Sequence, residues 1–282
     1  MNEIWTERYR PKGLKDVVGQ KNITDRLQSY VESRNMPHLL FTGPAGTGKT
    51  TCALALAREL YGEGWKGNVM ELNASDERGI EVVRGKIKEF ARTAPLSGAD
   101  FKIIFMDEAD SLTSEAQAAL RRTMEKYSKI CRFILSCNYS SKIIDPIQSR
   151  CAIFRFRPLT AEDVETYLQT IIDAEGVDID NEALQGLVHV ARGDMRRAVN
   201  SLQVAASMGK KIDIDAIYQT TGMANPEIVK EILETALDGN FVLARNKLDD
   251  TMIEFGLSGQ DIIRQIHRSE EHTSELQSHH DL

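Results

Sequence analysis

The densest chemistry in the chain lies in one unbroken string, Gly43-Pro44-Ala45-Gly46-Thr47-Gly48-Lys49-Thr50. It fits the pattern GxxxxGK[ST]: glycines let backbone N–H groups turn inward on an anion, the lysine reaches the outer phosphates, and the hydroxyl ligates Mg²⁺. An apolar run at 38–42 leads in and an Ala- and Leu-rich stretch at 49–60 leads out. The loop is therefore expected between a strand and the positive N-terminus of a helix. Gly43 to Thr50, with Thr51 next, form the candidate phosphate-binding set. A second group, Asp107-Glu108, ends the apolar run 103–106. At the C-terminal end of a strand, Asp107 would hold Mg²⁺ through water and Glu108 would polarise an attacking water; the competing reading is a solvated turn. Asn138 follows the apolar run Cys131–Cys137, where its amide could position that water, or simply form a turn. Together these groups describe hydrolysis of a nucleoside triphosphate.

Such groups need a sheet to carry them. Strand candidates fall at 38–42, 69–72, 102–106, 131–137 and 152–156. Helices are expected at 49–60, 81–93 and 114–127, the last capped by Thr113, and a short one is expected to open at Asp145-Pro146. Strands alternating with helices make a parallel α/β sheet. From Pro158 the pattern changes: Thr160 with Asp163 forms a capping box, followed by helical stretches at 161–175, 181–192 and 195–208 and no convincing strand. Stretches at 226–237 and 240–254 begin a third helical segment. The expected divisions are 1–157 (α/β), 158–223 (helical), 224–267 (a partial helical domain) and 268–282 (tail).

Composition sets the outer limits. The chain has 282 residues, 41% hydrophobic and 27% charged, with a net charge of −7. These are values of a globular protein with about two domains, not of a disordered one. The acidic balance argues against a uniformly basic nucleic-acid coat, without speaking to local patches. The first eight residues lack the apolar core of a signal peptide, and no apolar run is long enough to cross a membrane. Cys52, Cys131, Cys137 and Cys151 form no CxxC pair and have no histidine at zinc spacing. A reduced, metal-free, intracellular protein is the expectation. Residues 268–282 are polar and hold three of the six histidines. They read as the in-frame translation of a common sequencing adapter, so the native frame is expected to depart near His267.

Further strings join these groups: Trp5-Thr6-Glu7-Arg8-Tyr9-Arg10-Pro11, Asn73-Ala74-Ser75-Asp76-Glu77-Arg78-Gly79, Asp107-Glu108-Ala109-Asp110, Ser149-Arg150-Cys151 and Gly193-Asp194-Met195-Arg196-Arg197. Over residues 3–267 the chain resembles the AAA+ ATPases, and more closely the small-subunit family of replication factor C, in archaeal rather than eukaryotic wording. The resemblance implies a P-loop AAA+ parallel sheet with flanking helices, then a helical lid and the start of a helical collar. It implies ATP and Mg²⁺ as ligands. The partners would be a sliding clamp, primer–template DNA, other small subunits and a large subunit in a pentamer, with no membrane. The work would be opening the clamp and loading it on primed DNA. The location would be the cytoplasm, at the nucleoid, in an archaeon, or the nucleus in a eukaryote. The collar, beginning near Ala224, would be short of its second half.

The resemblance also implies roles. Arg150 matches an arginine finger acting on ATP in a neighbouring subunit, with Glu108, Lys49 and Asn138 completing the catalytic set; a surface arginine near a helix end is the plainer reading. Arg196 matches a lid residue that touches the nucleotide. Tyr9, Pro11, Val17 and Val18 fall where the family holds the adenine, although Val17 and Val18 suit a core equally. The window 78–92 carries five cations against two carboxylates. The family would run this helix along DNA phosphates through Arg78, Arg84 and Lys88, while a solvated helix face explains the same charges. Two rivals remain. Asp107-Glu108-Ala109-Asp110 also suits a DEAD-type RNA helicase, but no second RecA-like domain follows. A shortened chain could instead bind nucleotide without turnover.

Overall fold

The computed structural model describes residues 3–76, 78–96, 98–209, 211–264, 266 and 267. The expectation for 268–282 lies outside the described residues. Five short apolar strands, β1 (His38–Thr42), β2 (Val69–Asn73), β3 (Lys102–Asp107), β4 (Cys131–Cys137) and β5 (Cys151–Arg155), form one sheet in the order β2-β3-β4-β1-β5. Every pairing is parallel. Parallel sheets are buried on both faces, and this one is. Leu39, Phe41, Ile103, Phe105, Ile134 and Phe154 pack one way, with α1 (Lys21–Ser33) and α2 (Lys49–Tyr61). Leu40, Ile104, Met106, Phe133 and Leu135 pack the other way, with the helical run 80–92, α3 (Ser114–Tyr127) and α4 (Asp145–Gln148). Alternate residues of one strand therefore feed two separate cores.

The strand positions follow the sequence pattern to within a residue or two. Thr113 caps α3, its side-chain oxygen accepting from Ala116 N–H at 3.2 Å. Thr160 and Asp163 make the reciprocal capping box: the Asp163 N–H donates to the Thr160 hydroxyl at 3.1 Å, and that hydroxyl donates to Oδ2 at 2.7 Å. Other details differ. Ile144, not Asp145, is the N-cap of α4, and β5 begins at Cys151 rather than Ala152. Helix α1 has no counterpart in the sequence reading; its buried face is three residues, Ile23, Thr24 and Leu27, in a polar run. The helix expected at 81–93 occupies 80–92, with a π-helical turn over Val83–Ile87 between α-helical ends. Val83, Ile87 and Ala91 lie on the core side of this run, and Arg84, Lys86 and Lys88 are exposed.

His38 anchors the start of β1. Its Nδ1 accepts the Phe133 N–H at 3.1 Å, and its ring stands edge-on to Phe133 at 5.4 Å. Burial first, then the nearby Arg132 charge, lowers its pKa to about 4, against a bond to the Met124 backbone that raises it. The fold thus prefers neutral His38. Its contribution to stability is complete above pH 6.5 and is lost as pH falls toward 4, up to roughly 3 kcal/mol. The expected result is a thermal midpoint that falls between pH 7 and pH 5 by less in His38→Gln than in the parent chain, read by calorimetry. Burial also pushes the Cys52, Cys131 and Cys151 thiols up to about 12 and Cys137 to about 11, so none is poised as a thiolate.

The chain divides into two compact units, residues 1–168 with Ala191–Arg197, and Gln169–Val190 with everything from Ala198 on. The dividing points fall within or at the ends of α5 (Ala161–Glu175), α6 (Asn181–Ala191) and α7 (Met195–Ala206). The second unit continues with α8 (Ile214–Thr221), which the sequence pattern did not mark, α9 (Pro226–Leu237) and α10 (Phe241–Glu254). An isolated parallel bridge joins Ile179 to Ile212. Ala224, Val229, Leu257 and Ile262 form its small late cluster, while Leu237, Phe241, Val242 and Ile253 stay exposed.

Candidate nucleotide site

The phosphate loop leaves the C-terminal end of β1, beside β4, and enters α2. Gly43, Gly46 and Gly48 take φ values of 147°, 68° and 98°, and this alternation curls the backbone into a concavity. A β-carbon on Gly46 would lie 1.7 Å from Asp194 Oδ1. That carboxylate is committed, since Oδ1 also accepts the Arg197 N–H at 3.0 Å, and the Met195 N–H donates to Gly46 O at 3.1 Å. Gly46→Ala must therefore displace the Asp194 cap and hold alanine in the left-handed region, a loss of about 2–3 kcal/mol. The expected result is a lower thermal midpoint, partly recovered when Asp194→Ala is added.

Lys49 is buried, and its Nζ donates to Gly43 O and Pro44 O at 2.7 Å each and to Asn138 Oδ1 at 3.3 Å. The loop thus holds its own lysine ready. Burial lowers the Lys49 pKa, opposed by Asp107, Cys137 and Asp110 and reinforced by the Arg196 charge. A polyphosphate would relieve that desolvated cation. The Thr50 hydroxyl donates to Asp107 Oδ2 at 2.7 Å, so the hydroxyl and the carboxylate reach the same point from α2 and β3. Two hard oxygen donors suit Mg²⁺, whose other ligands are usually phosphate and water. No cluster of three or more His, Cys, Asp or Glu able to hold a metal occurs among the described residues.

Glu108 is exposed at the end of β3 and sits in the left-handed region, φ 50° and ψ 38°. Its N–H donates to Asp107 Oδ1 at 3.0 Å. A non-glycine residue held there stores about 1–2 kcal/mol. Asn138 follows β4, which pairs with β1, and so lies against Lys49. Thr47 is buried and its hydroxyl donates to Pro44 O at 2.8 Å. Pro44 and Ala45 are exposed, and Thr51 is half-buried in α2. Val17 Cγ1 lies 3.8 Å from the position of a β-carbon on Gly48, which puts Val17 beside the loop. Tyr9, Pro11 and Val18 are half-buried, and the Tyr9 carbonyl accepts the Tyr167 hydroxyl. Arg196 is exposed, close enough for its charge to act on Lys49.

Two residues reach the site without any local signal that predicts the contact. Buried Gln20 donates from Nε2 to Thr47 O at 3.3 Å and Arg157 O at 2.8 Å, tying the N-terminal segment to the loop. Asp194 stands against Gly46; it is part of a quoted string, but nothing local gives it this place.

Arg150 is not brought to the others. It precedes Cys151, which pairs with His38 at the start of β1, whereas the loop follows Thr42 at the other end. Five residues of strand separate the two positions, about 16 Å at roughly 3.3 Å per residue. Arg78, Arg84 and Lys88 are exposed. Arg78 Nε donates to Ser75 O at 2.8 Å, and Arg84 lies 3.8 Å from Glu81.

Comparison with known proteins agrees with this geometry. A family model for the ATPase family associated with various cellular activities (AAA) matches residues 39–159, and one for the replication factor C C-terminal domain matches 224–280. The chain is 63% identical over 268 residues to the replication factor C small subunit of Methanocella arvoryzae, covering 95% of this chain and 83% of the relative. It is 60% identical over 266 residues to that of Archaeoglobus fulgidus, covering 94% and 83%. Among solved structures it is similar to the Thermotoga maritima RuvB Holliday junction branch migration motor, with a TM-score of 0.62 and 19% identity over 91% of each chain, a likeness of fold. The chain belongs to the archaeal-type small-subunit family of replication factor C, built on an AAA ATPase core.

Proposed function

We propose that this chain is an ATPase subunit of a clamp loader, using ATP binding and hydrolysis to open a ring-shaped sliding clamp and place it on primed template DNA. The observation that carries the ATPase reading is the meeting of Thr50 and Asp107 at 2.7 Å beside the buried amine of Lys49. The clamp-loading reading rests on the identity to replication factor C small subunits along nearly the whole chain.

The residues divide the chemistry between them. The loop backbone from Gly43 to Thr51 cradles the phosphates, and Lys49 neutralises charge on the outer ones. Thr50 and Asp107 would hold Mg²⁺, which when bound would supply Lewis-acid stabilisation of the phosphoryl oxygens. Glu108, exposed at the end of β3, orients and deprotonates the attacking water, and Asn138 fixes that water from the neighbouring strand. Tyr9, Pro11, Val17 and Val18 line the adenine side. Arg196 joins nucleotide state to the helical segment 158–223, which serves as a lid. Arg150 acts on the nucleotide of an adjacent subunit.

Assembly follows from the same reading. Residues 224–267 start a collar, and the exposed Leu237, Phe241, Val242 and Ile253 suit burial against other small subunits and a large subunit in a pentamer. DNA is held through its backbone by Arg78, Arg84 and Lys88, in the cytoplasm at the nucleoid. Arg84→Ala with Lys88→Ala is expected to weaken duplex binding alike for all sequences and to shallow the log–log salt slope by about two. The decisive experiment is the ATPase rate of the chain assembled with its large subunit, with and without clamp and primed DNA. Strong stimulation by both supports the reading; no stimulation in a proven assembly overturns it.

A further inference from the structure

The guanidinium of Arg150 is held by two elements of its own chain. Nη1 donates to Pro146 O at 2.6 Å, with Ser149 Oγ at 3.4 Å. Nη2 meets Glu125 Oε1 at 2.5 Å. Glu125 lies in the last turn of α3, four residues after Arg121, whose Nη1 is 3.4 Å from the same oxygen. One carboxylate thus sits between two guanidiniums and is itself steadied along its helix. Both members of the pair are partly exposed, Arg150 at 36% and Glu125 at 40% of the side chain.

We propose that Glu125 is a positioning residue for Arg150, holding its guanidinium in the pose from which it engages a nucleotide on the adjoining subunit. The proposal rests on the reading of Arg150 given above. An arginine side chain loses much rotamer freedom when it is fixed, and anchors on α3 and α4 remove that freedom before the neighbour arrives. The contacts engage three of the five N–H groups, which leaves Nε–H and a second Nη2 hydrogen for phosphate oxygens. A partly exposed pair is weak enough to share its arginine with a polyphosphate and directional enough to aim it. The contacts of Glu125 are with Arg150 and Arg121, and the proposal has it act through Arg150.

The test is steady-state ATPase of the complex assembled with its large subunit, clamp and primed DNA, using Glu125→Gln, Glu125→Asp, Arg150→Ala and the Glu125→Gln/Arg150→Ala pair. Gel filtration of each complex accompanies the rates. Glu125→Gln should lower kcat roughly two- to five-fold, the scale of losing one partly exposed ion pair, with KM for ATP little changed. Glu125→Asp should recover part of the loss, and Glu125→Gln should add nothing once Arg150 is alanine. An unchanged or raised kcat in Glu125→Gln, an equal further fall in the Arg150→Ala background, or loss of assembly overturns the proposal. If Arg150→Ala alone turns over normally, the reading of Arg150 fails first and takes this proposal with it. If Arg150→Ala is inactive while Glu125→Gln is normal, the role of Glu125 alone fails.

Discussion

Replacing Arg150 by alanine is expected to leave ATP binding by the altered chain intact and to lower turnover of the assembled complex by ~10³ or more. The geometry of the sheet makes both halves of this expectation. Arg150 sits at the start of β5 and the phosphate loop at the far end of the adjoining strand. About 16 Å of strand lies between them, beyond the reach of an arginine side chain. Arg150 therefore cannot serve the site of its own chain. On the reading of Arg150 proposed above, its charge serves a γ-phosphate across a subunit boundary, where a cation would stabilise the charge that develops as the phosphoryl group transfers. Binding of a fluorescent ATP analogue to the free chain checks the first half. ATPase of the complex checks the second, and complexes doped with increasing fractions of Arg150→Ala should lose activity at the neighbour's site, not their own. Normal turnover in fully substituted complexes would falsify the role.

Glu108→Gln should likewise keep nucleotide binding and lose turnover by about 10²–10⁴, the usual worth of a positioned general base. The amide is isosteric with the carboxylate and the Glu108 N–H bond to Asp107 Oδ1 is made by the backbone, so the turn survives. Lys49, Thr50 and Asp107 are untouched. A sharper form of the prediction uses the backbone. Glu108 is held at φ 50°, where glycine rests without strain. Glu108→Gly should therefore abolish turnover while the thermal midpoint holds or rises, as expected of a position where function outweighs stability. Calorimetry beside a phosphate-release assay reads both. A drop in midpoint comparable to a core substitution would show that the Glu108 side chain is structural.

What the sequence makes legible is what it encodes locally. The phosphate loop, the Asp107–Glu108 pair and the capping box of Thr160 and Asp163 are contiguous strings whose function follows from neighbours a few residues away. The strands show as apolar runs because a parallel sheet is buried on both faces. Contacts between distant segments are not legible in this way. Gln20 reads as an ordinary polar residue until it is found donating to Thr47 and Arg157. Asp194 has no visible reason to face Gly46 until the chain returns to the loop after α6. The π-helical turn at Val83–Ile87 is invisible to a search for helical spacing, since its buried residues four apart suit an α-helix equally well. The pairing of Arg150 with Glu125 joins two elements that sequence spacing does not associate.

The strand order has a consequence during synthesis. Strand β1 is made first but occupies an interior place, and its partners come late: Leu39 waits for Ile134, about 95 residues on, and His38 waits for Cys151. At 5–20 residues per second the ribosome needs roughly five to twenty seconds to supply the first of these partners. Throughout that interval His38-Leu39-Leu40-Phe41-Thr42 is a ribbon with both hydrogen-bonding edges open, and every one of its residues is buried in the finished fold. Such a ribbon can pair with the same segment on a neighbouring nascent chain. The burden this protein places on nascent-chain holding factors is therefore set by where its first strand ends up in the sheet, and crowding of ribosomes on one message should raise it.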